Sequence, residues 1–330
     1  MMDKRQGEGI IAGTFRLHTA KILSSYGLMV ILVLLSACDR IETPTAPRLP
    51  PVVTVTALDS VVPPADTPSP APTRNPSPTL PPTVIPIQSR ACEQTGGVVE
   101  THIIDSQFLP RALQFSLYLP PCYDPPSDQV YPVLYLLHGQ SDTQEQWLRI
   151  GLVQAADKLI SSGQIPPLVI VMPYEQYSLR NPFESGFEAA IPDELLPWME
   201  EHYPVCAQRT CRAIGGISRG GAWALHLGFT RWELFSVIGA HSAPLFFGSD
   251  QRLPGWLEVI PSADLPHLAL DVGDRDHLYP SIEELHGLLT SLDVAHAWQV
   301  NPGQHDDEYW SGQIENYLLW YSVRFYNPNF

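Results

Sequence analysis

Lysine is nearly absent from the last 240 residues of this 330-residue chain: Lys158 is the only one between Ala91 and Phe330. That segment carries 11 Lys and Arg against 29 Asp and Glu, a balance of about −18. No basic stripe is left to neutralise phosphates, which excludes a nucleic-acid surface and disfavours polyanions and anionic lipid. Cysteine is scarce as well, five in the whole chain. There is no CxxC and no Cys/His cluster at zinc spacing, so no structural metal is expected, and no motif calls for a cofactor. The apolar run Gly27 to Leu35 falls short of the ~20 residues a membrane span needs, and no internal repeat is visible.

Proline, by contrast, is concentrated. Residues 41–90 hold 14 of the 34 prolines, interleaved with Thr, Ser and Ala. Such composition buries too little apolar surface to offset its ordering entropy, so 38–90 reads as a disordered, partly polyproline-II linker. At about 3.1 Å per residue it could reach roughly 150 Å. Ahead of it, Arg16 and Lys21 precede the apolar run and Leu35-Ser36-Ala37-Cys38. A positive flank, a short apolar core and small residues before a break describe a secretory signal over 1–37. The tetrapeptide resembles a bacterial lipobox, which implies lipidation of Cys38 and a location outside the cytoplasm, lipid-anchored or secreted, with the membrane contacted only through that anchor. An uncleaved N-terminal anchor is the alternative, and it too places the domain outside the cytoplasm.

The remaining domain, 91–330, keeps four cysteines, an even number that suits disulfides in an exported protein. Val98 to Ile104 and Ala112 to Leu119 read as two strands around a turn near Phe108-Leu109-Pro110. Partners about that turn should sum to roughly 214, as Cys92 and Cys122 do. Cys206 and Cys211, five apart in a polar loop, are close enough to bridge each other.

Near-continuous apolar runs mark strands buried on both faces: Tyr131 to His138, Leu168 to Pro173 and Arg212 to Ile217, with further strands at Phe235–Ala240, Leu268–Val272 and Ala295–Val300. Helical periodicity covers Leu152–Ile160, Phe187–Tyr203, Gly221–Phe229, Ile282–Leu292 and Tyr309–Tyr326. Strands alternating with helices predict a doubly wound α/β sheet whose site lies beyond the strands' carboxyl ends. Pro244 to Asp264 reads as an extended irregular stretch, with no insertion long enough for a lid.

Gly216-Ile217-Ser218-Arg219-Gly220 is a G-x-S-x-G between a strand and a helix, where a strained elbow exposes a serine hydroxyl and tolerates only small neighbours. A serine needs a base, and the base needs a carboxylate to hold its tautomer. In the order Ser, acid, His, His305 is the well-placed base, in the loop Asn301 to His305 after the last strand. His286 and His296 lie within a helix and a strand, and His277 follows an acid candidate directly. Asp271, Asp274 and Asp276 all lie near the end of the strand Leu268 to Val272, Asp271 still on it and the other two in the loop, and spacing does not separate Asp274 from Asp276. The oxyanion donors should be the amide of Arg219 and, after His138-Gly139, that of Gln140.

Tyr131 to Gly139 followed by Trp147, Glu194-Leu195-Leu196-Pro197, and Gly215 to Gly221 together resemble the esterase family of α/β-hydrolases that includes esterase D, feruloyl and other carbohydrate esterases, enterochelin esterases and mycolyltransferases. The likeness runs from about residue 98 to 322. Gly273-Asp274-Arg275-Asp276-His277-Leu278 is similar to that family's acid loop and implies Asp276 as the acid. Gln304-His305-Asp306 with Trp310 is similar to its histidine segment, except that Gln304 replaces a glycine. Arg219 stands where methionine is commonest. The resemblance implies an α/β-hydrolase fold, a mostly parallel central sheet flanked by helices with an N-terminal antiparallel hairpin. It also implies carboxylic ester hydrolysis through an acyl-serine, on substrates that include acylated glycans. Two alternatives stand beside it: acyl transfer to a sugar, as in mycolyltransferases, and an inactive surface binding protein, against which the intact Ser, His and acid count. Phe246, Phe247, Trp256, Tyr279 and Trp310 are aromatics that could stack on sugar or aromatic acyl groups, or simply pack the core. Oligomeric state is not readable.

Overall fold

A computed structural model describes Gln94, residues 96–124 and residues 129–326, all within the compact unit Pro82–Phe330. The leader, the linker, Cys38 and Cys92 lie outside the described residues. Among the described residues eight strands form one sheet: β1 (Val98–Ile104), β2 (Leu113–Leu119), β3 (Val133–Leu137), β4 (Val169–Pro173), β5 (Arg212–Ile217), β6 (Val237–His241), β7 (His267–Gly273) and β8 (His296–Asn301), in the order β1-β2-β4-β3-β5-β6-β7-β8. β1 and β2 pair antiparallel, β2 joins β4 antiparallel, and every later pairing is parallel.

The buried runs behave as their composition requires. Along β3, Val133, Tyr135 and Leu137 enter one apolar cluster while Leu134 and Leu136 enter another on the opposite face. Helices cover both faces: α1 (Gln146–Arg149), α2 (Leu152–Ser161), α3 (Phe187–Ala190), α4 (Leu196–His202), α5 (Arg219–Thr230), α6 (Leu253–Glu258), α7 (Tyr279–Ser291) and α8 (Asp307–Tyr326). Between α3 and α4 the chain widens into a π turn, Ile191–Leu195. Pro192 lacks an amide hydrogen and its ring crowds the preceding turn, so regular α bonding cannot run through it. The segment expected as irregular, Pro244 to Asp264, in fact contains α6; Pro254 in its first turn and the short Leu253, Trp256, Leu257 face were too brief a pattern to read.

The hairpin register corrects the expectation. Partner numbers sum to 217, with Val98 opposite Leu119 and Ile104 opposite Leu113. The loop is set by Ser106, whose Oγ accepts from the Phe108 and Leu109 amides and donates to Glu194 Oε2 (2.5 Å), while Gln107 N–H reaches Glu194 Oε1 (2.6 Å). A contact 88 residues away in sequence thus decides where the chain turns. In this register hairpin symmetry no longer selects Cys92 for Cys122; Cys122 is disulfide-bonded, and Cys92 lies outside the described residues. Cys206 and Cys211 are bridged, their Cα atoms 5.8 Å apart.

Strand β3 lies between β4 and β5, so the crossovers leave it in opposite directions. That reversal opens a crevice at the carboxyl ends of β3 and β5, and His138-Gly139 and Ser218 come directly after those two strands.

Candidate active site

Ser218 joins β5 to α5 with φ 54° and ψ −121°, a conformation side chains rarely adopt and one that costs on the order of 1–3 kcal/mol. Packing holds it there. A Cβ on Gly216 would come within 2.3 Å of the Gly220 carbonyl carbon, and one on Gly220 within 2.3 Å of the Leu137 carbonyl oxygen. Ser218 N–H donates to His241 O (2.8 Å), and Ser218 O accepts from Ala222 N–H (3.0 Å) as α5 begins. The bend therefore projects Oγ beyond the sheet's carboxyl edge.

His305 arrives from the loop after β8. Its Nε2 lies 2.9 Å from Ser218 Oγ and its Nδ1 2.8 Å from Asp276 Oδ2. The Asp276 side chain is fully buried, and its Oδ1 accepts from the Leu278 amide at 2.8 Å. Burial pushes its pKa up, but the bonds from His305, Leu278 and the Ser242 hydroxyl outweigh that and hold the carboxyl below its ordinary range. It is therefore ionised at neutral pH, which favours the imidazolium that His305 becomes on taking a proton.

The three aspartates separate cleanly. Asp274 is exposed, and its Oδ1 accepts from the Gly303 amide (3.0 Å), bracing the loop that carries His305. Asp271 stays on β7, buried against His241 Nδ1 (2.5 Å) and the hydroxyls of Tyr309 (2.7 Å) and Tyr317 (2.8 Å). Only Asp276 meets His305. His277 is exposed and sets its ring edge-on to His305 with centroids 4.7 Å apart. Among the described residues, Asp276, His277 and His305 are the group whose ligand-type atoms fall within 4.8 Å of one another, and two of them already bond each other.

Gln140 lies on the other side of the serine: a Cβ on the preceding Gly139 would sit 3.7 Å from Ser218 Cβ. Its N–H shares a planar peptide with the Gly139 carbonyl, so fixing one fixes the other. That carbonyl accepts from His138 Nδ1–H (2.7 Å), and the Gly139 amide donates to Gln146 Oε1 (2.7 Å). His138 Nε2 in turn accepts from the Glu175 amide at 2.8 Å, which sets the neutral tautomer, and burial lowers the ring's pKa in the same direction. The Arg219 amide, first in α5, belongs to the helix N-terminus, where N–H groups have no intrahelical acceptor. The Arg219 amide directly follows the serine, and the Gln140 amide directly follows the Gly139 backbone that packs against it.

Sequence reading treated Arg219 only as a backbone donor, yet its guanidinium forms a two-pronged pair with Glu175, Nε to Oε2 at 2.7 Å and Nη2 to Oε1 at 2.6 Å, both side chains nearly buried. Glu175 was missed because its partner is 44 residues away in sequence. Ser242 was missed too: fully buried with φ 51°, it accepts from Trp310 Nε1 (3.1 Å) and bonds Asp276. Its signal was weak, a serine directly after an apolar strand. Of the aromatic candidates, Trp310 lies 5.0 Å from the His305 ring and Phe246 5.5 Å from the Arg219 guanidinium. Trp256 packs on His226, Tyr279 donates to Glu283, and Phe247 is fully exposed. Gln304 is exposed, and the glycine requirement falls one residue earlier, where a Cβ on Gly303 would meet the Tyr309 ring at 2.3 Å.

The Esterase family model, described as "Putative esterase", matches residues 106–321. A xylanase/feruloyl esterase of Xylanibacter ruminicola is 31% identical over 142 residues, 39% of this chain and 19% of that protein. Esterase Rv1288 of Mycobacterium tuberculosis is 30% identical over 154 residues, 44% of this chain and 32% of its own length. The chain thus spans less than a third of these curated relatives. Among solved structures, a ferulic acid esterase superposes with a TM-score of 0.62 at 26% identity, covering 70% of this chain and 99% of that one. An S-formylglutathione hydrolase from Staphylococcus aureus (TM-score 0.53, 18% identity, 68% and 98% covered) shares the fold. The α/β-hydrolase architecture and the match over most of the chain place this protein in the esterase family.

Proposed function

We propose that this chain is an exported serine esterase that cleaves short-chain or aromatic acyl esters from neutral glycans. The observation that carries the reading is the unbroken path from Ser218 Oγ through His305 to Asp276, starting at a strained elbow. His305 Nε2 takes the Ser218 proton as Oγ adds to the ester carbonyl. The resulting oxyanion is held by the Gln140 and Arg219 amides, and His305 returns the proton to the departing alkoxide. Water then repeats the sequence on the acyl-serine and restores the enzyme.

Three observations support the substrate class. A relative and a structural neighbour carry feruloyl or ferulic acid esterase in their names. The domain's charge of about −18 disfavours polyanions. The leader and the Cys38 lipobox supply export and a tether, and among the described residues no helix is long and apolar enough to cross a membrane. Comparing kcat/KM for acetyl, butyryl, feruloyl and long-chain esters, with and without a sugar acceptor and with a Ser218→Ala control, tests the reading. Preference for long-chain esters overturns the glycan assignment, and faster turnover with the acceptor makes the enzyme a transferase. Mass spectrometry of the mature N-terminus tests cleavage before Cys38.

A further inference from the structure

A cavity of about 390 Å3 opens between β7, β8 and α8, and none of Ser218, His305 and Asp276 lines it. Its volume falls within the ~300–1,000 Å3 usual for small-molecule sites. The cavity exists because of what the strands place on this face of the sheet. Ala269 pairs with Ala297 across β7 and β8, and Asp271 with Gln299. Leu268 and Leu270, alternating with them, face the other side and enter the main apolar cluster. Two alanines stand where a filled core would carry larger side chains, and the gap is walled by α8.

The lining has a definite chemistry. At the mouth are three amides, Gln299 and Asn316 exposed and Asn301 half-buried. Trp320, one helical turn after Asn316, forms a flank and is braced by the Arg324 guanidinium 4.1 Å from its ring centre. At the inner end His241, Asp271 and Tyr317 are buried and already satisfy one another, so the carboxylate is spent on the imidazole and two phenols. No lysine or arginine is among the lining residues. Such a cleft offers no cation to an anion and no free carboxylate to a cation. Asn301 Nδ2 donates to the Tyr309 hydroxyl (3.3 Å) and Asn316 Nδ2 to Gln313 Oε1 (3.0 Å), which leaves each a second N–H and its carbonyl oxygen. With the Gln299 amide these supply donors and acceptors beside an aromatic wall, the complement of vicinal hydroxyls on an apolar ring.

We propose that this cleft binds a neutral saccharide, as a site separate from the catalytic serine. It does not depend on the esterase reading, although a polymer held there would keep its esters near Ser218. The test uses the full chain carrying Ser218→Ala and titrates xylohexaose, cellohexaose and mannohexaose by isothermal calorimetry and NMR. Saturable binding of at least one is expected, weakened ~10-fold or more by Asn316→Ala and by Gln299→Ala, a loss of about 1.4 kcal/mol. Both positions are exposed, so these variants should fold, and in the Ser218 background they should turn over a small aryl ester like the parent. Failure of all three sugars to bind overturns the proposal, as does binding undiminished in both amide variants. Binding abolished by a covalent serine inhibitor on the unmutated enzyme assigns the sugar to the catalytic cleft and also overturns it. An inactive enzyme that still bound sugar through Asn316 would sink the esterase reading and leave this one standing.

Discussion

Two aspartate–histidine pairs sit at the end of the same strand, five residues apart, and only one of them meets a serine. Asp276 holds His305 at 2.8 Å, and Asp271 holds His241 at 2.5 Å. The two imidazoles differ in the group their far nitrogen meets. His305 Nε2 meets a serine hydroxyl on a strained turn beside two amides, whereas His241 Nε2 meets the hydroxyl of Tyr321 at 2.9 Å, wholly inside the protein. Burial drives the Tyr321 pKa well above its ordinary value, so no phenolate forms there. An acid–base pair becomes catalytic only where a nucleophile it can activate meets it. Otherwise the same groups tie strands β6 and β7 to α8.

Substitution breaks the likeness between the two pairs most directly. Ser218→Ala and His305→Ala should each cut kcat by about 10^4–10^6-fold in a short-chain ester assay, because the triad acts as a unit. Asp276→Asn should lower kcat by about 10^4-fold with little change in KM, since the amide imposes the wrong imidazole tautomer. Asp271→Asn should leave kcat within a few-fold and instead lower stability by about 3 kcal/mol, roughly 10 °C in Tm, because it breaks a buried hydrogen-bond network. If Asp271→Asn proved the inactive variant and Asp276→Asn merely the unstable one, the assignment of the two pairs would be inverted.

The Arg219–Glu175 pair sharpens the contrast on the other side of the serine. Removing one partner strands a buried charge, so Arg219→Met should destabilise by roughly 3–5 kcal/mol. The double variant Arg219→Met, Glu175→Gln should recover much of that loss in urea unfolding. A purely additive result would show that the two side chains do not interact.

Smallest is the pH effect. With its pKa held below the ordinary 3.8, Asp276 contributes stability that is complete above that value and is lost as pH falls through its own lower pKa. His138, lowered by burial, also prefers its neutral form in the fold, and its contribution is complete above 6.5 and declines as pH drops below it. Tm measured against pH should therefore fall in two acid steps. Asp276→Asn should flatten the lower step and His138→Gln the upper.

Much of this molecule was legible because its signals are local. Glycines at 216 and 220 announce an elbow because only they fit beside Leu137 and each other. Continuous apolar runs announce β3, β4 and β5 because both faces of those strands are covered. The bridge between Cys206 and Cys211 matches a five-residue loop. The acid was different: Asp274 and Asp276 are two residues apart in one loop, and spacing could not say which carboxylate turns inward. Family resemblance pointed to Asp276; only the fold shows it buried against His305 while Asp274 caps the Gly303 amide.

The alternation of strands and helices, the elbow at Ser218 and the place of His305 were determined by the sequence itself, each encoded in a few adjacent residues. Tertiary structure alone decided the hairpin register, set by Glu194 reaching Ser106 across 88 residues, and the pairing of Arg219 with Glu175 across 44. It also decided which aspartate serves the site and which serves the core. The physical reason is common to all three: a side chain's partner is chosen by distance in space, and a linear pattern records that distance only where the chain has not yet turned back on itself.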